Sequence, residues 1–512
     1  MLLLLLLAAC AVPQLPRSGP TFVRGGVVLD RPSEGARALP DHQWLLDHPW
    51  SPGDSVQLDG GTLVAPERAE CVPLFHRDLG TVDRRVAADG AAPDTALAFS
   101  PDGRWLAVGT YLGDVLVLDA WSGTVRARRR LAETMVKQVA WAPDGATLYA
   151  AEQSPDAYVH ALDPVTLASR WTVRLADRVG TSAPPPADDL YGVYTLPAAY
   201  GLDVLPDGSL LVAAVHAWDV GDGKRRNASQ ILRIEPDGAV RAAWPAQPAS
   251  ITLMHPRVGG DRVAVPVGRS ATGPAPAGLP VGGVQVLSLP DLRPVAAETY
   301  DPLKPWYSEV FVWEAVDVDA QTLLVGTEDG RLFRHDLATG QRVERDLGTP
   351  VLAGDVPVAA NIGHAALVNE QAVAITAASS IPWGAADPAL RPPAPHPEQN
   401  AVHVLDDHLR PVWTWRGPQV LQGLTVGPEG HTLVVGAGRR TSDDRRDLFG
   451  ALVFDLDGSG SGEDHLRAFC ATAGPAFFRQ AATADGRVAV VEVPWADPSG
   501  TVHGAYRVTV LR

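Results

Sequence analysis

Three residues of types that bind metal ions occupy corresponding places along this chain of 512 residues. His255, Glu314 and His364 each precede, by a few positions, a short turn between two apolar runs. Imidazole nitrogens and carboxylate oxygens are common ligands of zinc and related ions, which makes these residues a candidate metal site. The alternative is a set of solvated structural positions. The pattern favours this alternative, because the alignment slips by one residue between units and metal coordination requires precise geometry.

Motifs of other chemistries are missing from the sequence. It contains no HExxH, GxSxG or P-loop motif, no GxGxxG at the start of a helix, and no adjacent cysteines of the kind found in quinone-dependent dehydrogenases. The acidic run at residues 455–463 has spaced oxygens, but Leu466 stands where a calcium loop places its last acid. These absences favour a protein that is not an enzyme, and the sequence predicts no cofactor.

The N-terminus, MLLLLLLAAC, predicts export. Its apolar run is too short to span a bilayer but suits a secretory signal. Leu7, Ala8, Ala9 and Cys10 resemble the lipobox of bacterial lipoproteins, in which the cysteine carries the lipid. We therefore expect a signal peptide at residues 1–9 and a lipid-anchored, proline-rich tether at residues 10–21. No Lys or Arg precedes the apolar run, so an ordinary cleaved signal is the alternative.

Candidate residues of this kind need a scaffold to position them, and a repeat supplies it. Residues 95–131 contain four short alternating apolar runs separated by turn residues, the pattern of a four-stranded meander. The first turn, Pro101-Asp102-Gly103, recurs in similar form along the chain, and counting these turns gives eight units. Such meanders bury both faces by packing radially around an axis. The sequence therefore predicts an all-β protein, a β-propeller of four-stranded blades over residues 95–512. Eight blades are expected, with seven or nine as alternatives.

Two of the units carry residues typical of a known superfamily. Asp163 and Thr166 precede Trp171, and Asp336 precedes Thr339 and Gly340 in a third-strand turn. These segments resemble the blades of WD40-like and quinoprotein-like propellers, the latter with repeats of the pyrroloquinoline-quinone type. Together with the lipobox, the resemblance implies a β-propeller lipoprotein. Ala11 follows Cys10, whereas many inner-membrane lipoproteins have Asp there, so the expected location is the outer membrane, facing the periplasm or the cell surface.

The final unit lacks an outer strand, which predicts how the ring closes. The segment LFHRDLGTVDRRV at residues 74–86 parallels LFRHDLATGQRVERD at residues 332–346. We expect residues 22–94 to form an N-terminal segment that contributes the missing closing strand. Cys71 and Cys470 remain as an even pair once Cys10 is set aside. In an exported protein such a pair suggests a disulfide, with two buried thiols as the alternative.

Polar residues precede the first turn in every unit. Since the innermost strands converge on the axis, we expect these side chains to ring the mouth of the central channel. With His255, Glu314 and His364, the set consists of Thr95, Lys137, Tyr200, Gln422 and Arg479.

Long connections recur between the second and third apolar runs of several units, as at residues 216–229 and 379–400. Their position predicts that one face of the propeller is enlarged for binding. Neutral variation of loops is the alternative. The loops contain aromatic and arginine side chains, which commonly anchor protein interfaces. The candidate contacts are Trp218, Arg225, Trp383, Arg439, Arg445 and Trp495.

The formal net charge of −16 disfavours nucleic acid and direct binding to anionic lipid. We expect a monomer that binds another protein or a peptide and touches the membrane through its lipid alone. Two alternatives remain at this point. One is a metal-dependent, lactonase-like propeller hydrolase that uses His255, Glu314 and His364. The other, weaker, is a quinone-dependent oxidoreductase.

Overall fold

A computed structural model describes residues 71–82 and most of residues 95–512, together with short strands between residues 21 and 64. Within residues 95–512 the description excludes 187–188, 190–191, 222–224, 269–276, 304–313, 354–355, 381–395, 418–419, 439–448, 477–478 and 497–500.

The first strands of the chain form a sheet of their own, with the order β2-β1-β3-β4. Its members are β1 (Thr21–Arg24), β2 (Val27–Leu29), β3 (Ser55–Leu58) and β4 (Gly61–Val64). The next strand, β5 (Pro73–Asp78), belongs instead to the last sheet of the chain.

Eight antiparallel blades follow, each built from successive strands that run outward from the axis. Blades 1 and 2 consist of β6 (Ala96–Phe99), β7 (Trp105–Gly109), β8 (Asp114–Asp119) and β9 (Val125–Arg130), then β10 (Met135–Trp141), β11 (Leu148–Gln153), β12 (Tyr158–Leu162) and β13 (Ser169–Arg174). Blades 3 and 4 consist of β14 (Ala198–Val204), β15 (Leu210–Asp219), β16 (Arg225–Ile234) and β17 (Val240–Ala249), then β18 (Arg257–Gly259), β19 (Arg262–Val267), β20 (Gly283–Ser288) and β21 (Arg293–Thr299).

The second half of the ring repeats this plan. Blades 5 and 6 consist of β22 (Val316–Val318), β23 (Thr322–Gly326), β24 (Arg331–Asp336) and β25 (Arg342–Asp346), then β26 (Val351–Ala353), β27 (Val356–Val368), β28 (Gln371–Ser380), β29 (Ala401–Leu405) and β30 (Pro411–Arg416). Blades 7 and 8 consist of β31 (Leu421–Val426), β32 (Thr432–Ala437), β33 (Gly450–Asp455) and β34 (Leu466–Ala471), then β35 (Gln480–Ala482), β36 (Val488–Glu492), β39 (Arg507–Leu511) and β5, with a small hairpin of β37 (Trp495–Ala496) and β38 (Val502–His503).

Helical structure in the described residues is confined to short turns in connections. These turns are α1 (Ala176–Val179), a 3₁₀ turn (Gly192–Thr195) and α2 (Gly462–His465). Among the described residues, no helix has the length and apolar character needed to cross a bilayer.

The hydrophobic core lies between blades. Ala107, Val115 and Val117 of blade 1 share one buried cluster with Val136 and Leu148 of blade 2. The middle strands are therefore covered on both faces, and their sequences are near-continuous apolar runs. In the outer strand β9, exposed and half-buried residues alternate. Each Val or Leu buried in this way contributes about 1.5–3 kcal/mol, so radial packing is the main source of stability.

The ring closes through β5, which pairs antiparallel with β39 in the register Arg507↔Asp78 and Thr509↔His76. The predictions of eight blades, four-stranded except for the additional β26 in blade 6, and of a closing N-terminal strand are both confirmed. Next to β5, Cys71 forms a disulfide with Cys470 of the outer strand of blade 7, with their Cα atoms 4.9 Å apart. The closing strand is thus attached to both of the last two blades.

A buried carboxylate also holds the closing blade. Glu492 of β36 accepts two hydrogen bonds of 2.9 Å from the Arg507 guanidinium of β39. It also accepts the hydroxyl of Thr509, and His76 of β5 lies 3.6 Å away. Burial raises the pKa of Glu492, but His76, Arg507 and Thr509 overcome this effect and lower it to about 2. Glu492 is therefore ionised at neutral pH.

Candidate functional site

The described strands that flank the long connections place the ends of these connections on one face of the propeller. In an antiparallel meander, the connections from the second to the third strand lie at the same end as those from one blade to the next. The insertions join β15 to β16, β19 to β20, β28 to β29, β32 to β33 and β36 to β39, all of them second-to-third connections. We call this side the elaborated face. The innermost strands begin there, so the mouth of the channel opens on it.

Five of the predicted channel-mouth residues lie in a continuous row across five blades. The Lys137 ammonium is 4.6 Å from the centre of the Tyr200 ring, and that ring meets the His255 ring edge-on at 6.4 Å. His255 Nδ1 lies 3.5 Å from Glu314 Oε1, and His364 Nδ1 lies 3.3 Å from Glu314 Oε2. We call Lys137, Tyr200, His255, Glu314 and His364 the channel-mouth cluster.

The central member of this cluster is an ionised carboxylate. Burial raises the pKa of Glu314, but His255, His364, Arg479 and Arg257 overcome it and lower the pKa to about 2. Burial lowers the pKa of His255 to about 4, although Glu314 opposes the change. At neutral pH the cluster therefore holds a charged Glu314 between two neutral imidazoles.

The hydrogen bonding of His364 argues against the candidate metal site. The backbone N–H of Gly423 donates to His364 Nε2 at 2.8 Å, so Nε2 is unprotonated and its lone pair is already used. The proton is on Nδ1, which faces Glu314. In the part of the chain that the structure describes, no group of three His, Cys, Asp or Glu side chains could hold a metal ion. The structure brings the three residues together, with His255 and His364 each next to a carboxylate oxygen of Glu314.

Two arginines lie on the innermost strands of this channel: Arg479, which the sequence analysis placed in the channel-mouth set, and Arg257, which it missed. Arg257 begins β18 and Arg479 immediately precedes β35, the innermost strands of blades 4 and 8. Both act electrostatically on Glu314, His255, His364 and Asp203. Neither guanidinium makes a hydrogen bond or an ion pair with any residue that the structure describes. Both remain partly accessible to solvent.

A second layer of acidic residues lies further along the innermost strands. Asp203 and Asp317 follow Tyr200 and Glu314 by the same number of residues, a regularity that could have revealed them in the sequence. Burial raises the pKa of both carboxyl groups. Asp317 accepts the backbone N–H of Leu367 at 2.8 Å, which fixes its position between blades 5 and 6.

The other two predicted channel-mouth residues, Thr95 and Gln422, lie outside the channel-mouth cluster. Thr95 Oγ1 forms a hydrogen bond of 2.5 Å with the Tyr506 hydroxyl, which also accepts the Tyr111 N–H. Thr95 is buried and joins blade 1 to blade 8. Gln422 of blade 7 is half-buried, next to Gly423, which donates to His364.

The loop residues predicted to contact a partner differ in their exposure and contacts. Trp218 is half-exposed and stacks on His216 at 4.4 Å, and His216 Nε2 is 2.6 Å from Ser182 Oγ, so the long β15–β16 hairpin is braced. The backbone of Arg225 pairs with Asp219 at the end of this hairpin. Trp495 is 5% exposed, stacked on His503 and packed edge-on against Phe449. His503 and Phe449 therefore cover the ring of Trp495, which the structure does not present at the surface. Cys10, Trp383, Arg439 and Arg445 lie outside the described residues.

Exposed apolar side chains on the elaborated face come from two connections, the long one between β15 and β16 and a second one, containing β26, that the sequence analysis did not single out. Val220, at the end of β15, is 42% exposed, and Val351 and Leu352 of β26 are 41% and 65% exposed. β26 lies in the connection between blades 5 and 6, on the same side as the channel mouth.

The topology and the site together define an eight-bladed β-propeller with a charged channel mouth on its elaborated face. No protein-family model and no curated protein matches the sequence. Solved structures similar to the chain include the C-terminal WD40 domain of Sif2, at 12% identity and a TM-score of 0.49, over 86% of this chain and 98% of that one. BamB from Moraxella catarrhalis is similar at 14% identity and a TM-score of 0.36, over 67% of this chain and 81% of that one. The assignment to the propeller class rests on the strand pairing described above.

Proposed function

We propose that this protein is a binding scaffold whose elaborated face receives another protein or a peptide. The observation that carries the proposal is the position of the insertions, which all join second to third strands and so enlarge one face. Surface loops tolerate insertion on either face, so enlargement of one face indicates selection for contact there. The fold alone supports no particular activity, because propellers have many functions.

The exposed apolar residues also support the elaborated face as the binding surface. Val220, Val351 and Leu352 lie on connections of the elaborated face, and exposed apolar side chains bordered by polar groups are typical of protein interfaces. The exposed valines on outer strands, such as Val412 of β30, do not lie on the connections of the elaborated face. A partner that covers Leu352 removes apolar surface from water and so gains affinity.

A capture experiment with matched variants tests this proposal. The full-length chain is compared with Leu352→Asp on the elaborated face and Val412→Asp on the outer strand of the same blade. We expect one partner to be recovered with the unmodified chain and with Val412→Asp, and at least about tenfold less of it with Leu352→Asp. Recovery of the same proteins by all three, or by none, would show that this face is not the binding surface.

We also propose that the protein is exported and anchored by a lipid on Cys10, with residence at the outer membrane. The lipobox-like LAAC and the Cys71–Cys470 disulfide, a bond typical of oxidising compartments, support export. Several acyl chains on one N-terminus give stable attachment. We expect Cys10→Ser to move the protein to the soluble fraction or to leave its precursor uncut. Membrane fractionation unchanged by this substitution, with no acyl mass on the mature N-terminus, would reduce the proposal to simple secretion.

A further inference from the structure

A serine and a histidine form a hydrogen-bonded pair where the connection between blades 2 and 3 meets β15. Ser182 follows α1 in this connection, and His216 lies near the end of β15. Ser182 Oγ is 2.6 Å from His216 Nε2, and His216 Nδ1 is 3.0 Å from the carbonyl oxygen of Val179. A carbonyl oxygen can only accept a hydrogen bond, so the imidazole proton is on Nδ1 and the Ser182 hydroxyl donates to Nε2.

The imidazole of His216 is in the state that a general base requires. Catalytic serines are activated by a base that a third group orients, and here the Val179 carbonyl orients the ring. Burial lowers the pKa of His216, and the carbonyl groups of Val179 and Thr195 oppose this change only in part. At neutral pH the imidazole is therefore uncharged and able to take the Ser182 proton.

Access to solvent distinguishes this pair from Tyr300 and His335, which are hydrogen-bonded at 2.8 Å in the core. Ser182 is half-buried, and both of its neighbours in the chain are exposed. Gly180, at a φ of +84°, turns the chain after α1 in a conformation that favours glycine. Pro184 stands where a GxSxG motif has its second glycine, so the sequence does not match that motif.

We propose that Ser182 is a nucleophile activated by His216, which accepts the acyl group of an ester with an apolar acyl chain. This activity is separate from the proposed binding function. The Ser182 oxygen attacks the ester carbonyl carbon while its proton passes to His216 Nε2. The ester C–O bond then breaks, and the leaving alcohol takes that proton. Water attacks the acyl-serine, its proton passes through Nε2 to Ser182 Oγ, and the carboxylic acid is released.

Two features beside the pair suit this chemistry. The half-exposed ring of Trp218 stacks on His216 at 4.4 Å and offers apolar surface to an acyl chain. The backbone N–H groups of Ser182 and Ala183 form no hydrogen bond with any residue that the structure describes. They are donors next to the nucleophile that can stabilise the oxyanion formed by its attack.

The test treats the full-length chain with a fluorophosphonate, which phosphonylates activated serines with release of fluoride, and locates the label by mass spectrometry. We expect a label on Ser182, no label at this position in Ser182→Ala, and labelling at least about 100-fold slower in His216→Gln. The matched control is Ser122, which is half-buried like Ser182 but hydrogen-bonds to Asp119. Ser122 should stay unlabelled.

Hydrolysis of p-nitrophenyl butyrate measures the complete reaction. Its rate should fall at least about 100-fold in Ser182→Ala and in His216→Gln. Trp218→Ala should raise the KM for this ester and change kcat little, because the ring contacts the acyl chain and not the reacting atoms.

Three results would overturn the inference. They are an unmodified chain without a label on Ser182, equal labelling of Ser182 and Ser122, and ester hydrolysis unchanged in Ser182→Ala. Equal labelling rates in the unmodified chain and His216→Gln would show that the hydrogen bond only braces the hairpin. Urea unfolding checks that His216→Gln is folded. If it is not, the position of the label and the rate of Ser182→Ala decide.

Discussion

Single residues decide how firmly the ring is closed, and Glu492 is the clearest case. Its carboxylate joins β36 to Arg507 and Thr509 of β39 and lies near His76 of the closing strand. Removing its charge leaves the Arg507 guanidinium partly buried without its partner. Breaking a buried pair in this way costs about 3 kcal/mol.

We therefore expect Glu492→Gln to lower the free energy of unfolding by about 3 kcal/mol at neutral pH, measured by urea denaturation. Glu133→Gln serves as the control, because Glu133 is 92% exposed and pairs with Arg130 on the surface. That substitution should change stability very little. Equal stability of the two variants would mean that the buried network does not hold the last blade.

At this scale the sequence could identify residue types but not their partners. The spacing of His255, Glu314 and His364 placed three side chains at one channel mouth, yet the Gly423 N–H that engages His364 comes from another blade. Trp495 shows the same limit, since its burial depends on Phe449 and His503, which no local pattern relates to it. Long-range contacts of this kind are outside the reach of periodicity.

Strands and turns were more predictable, because their determinants are local. Gly103 and Gly145 adopt φ angles of +68° and +69° in the tight turns, a region in which glycine has no steric penalty. These turns marked the blades, and the likeness of residues 74–78 to residues 332–336 identified the closing strand. Strand length was not predictable in the same way. β27 extends over Val356–Val368 because its start pairs with β26, and that hairpin exposes Leu352.

The whole molecule should lose stability in weak acid because of buried histidines. Burial lowers the pKa of His335 to about 4 and that of His403 to about 3, from 6.5. As pH falls below 6.5, the unfolded chain therefore binds protons that the folded chain excludes, and the free energy of unfolding decreases. Each buried histidine contributes on the order of 1–3 kcal/mol to this loss. Below pH 4.5 the unfolded chain also binds a proton at Glu492, whereas the folded chain does not, because the folded pKa of Glu492 is about 2. This difference lowers the free energy of unfolding further.

Urea unfolding between about pH 7 and pH 4.5 measures this dependence. We expect His403→Asn to flatten the curve, because the substituted side chain no longer titrates. His408→Asn should leave it unchanged, since His408 is 64% exposed in a surface turn. A stability profile that stays flat over this range, or that is equally affected by both substitutions, would show that the buried imidazoles do not govern it.

The attachment of β5 to β39 also sets the order in which the ring can be completed. A ribosome makes the closing strand before any blade and makes its partner, residues Arg507–Leu511, almost last. Until β39 and Cys470 have been made, the edge of β5 is unpaired and the Cys71 thiol is not in a disulfide. Cys71 and Cys470 are separated by 399 residues. An unpaired strand edge and a free thiol invite pairing with other chains. The last blade can therefore be completed only after residues Arg507–Leu511 are available to pair with β5.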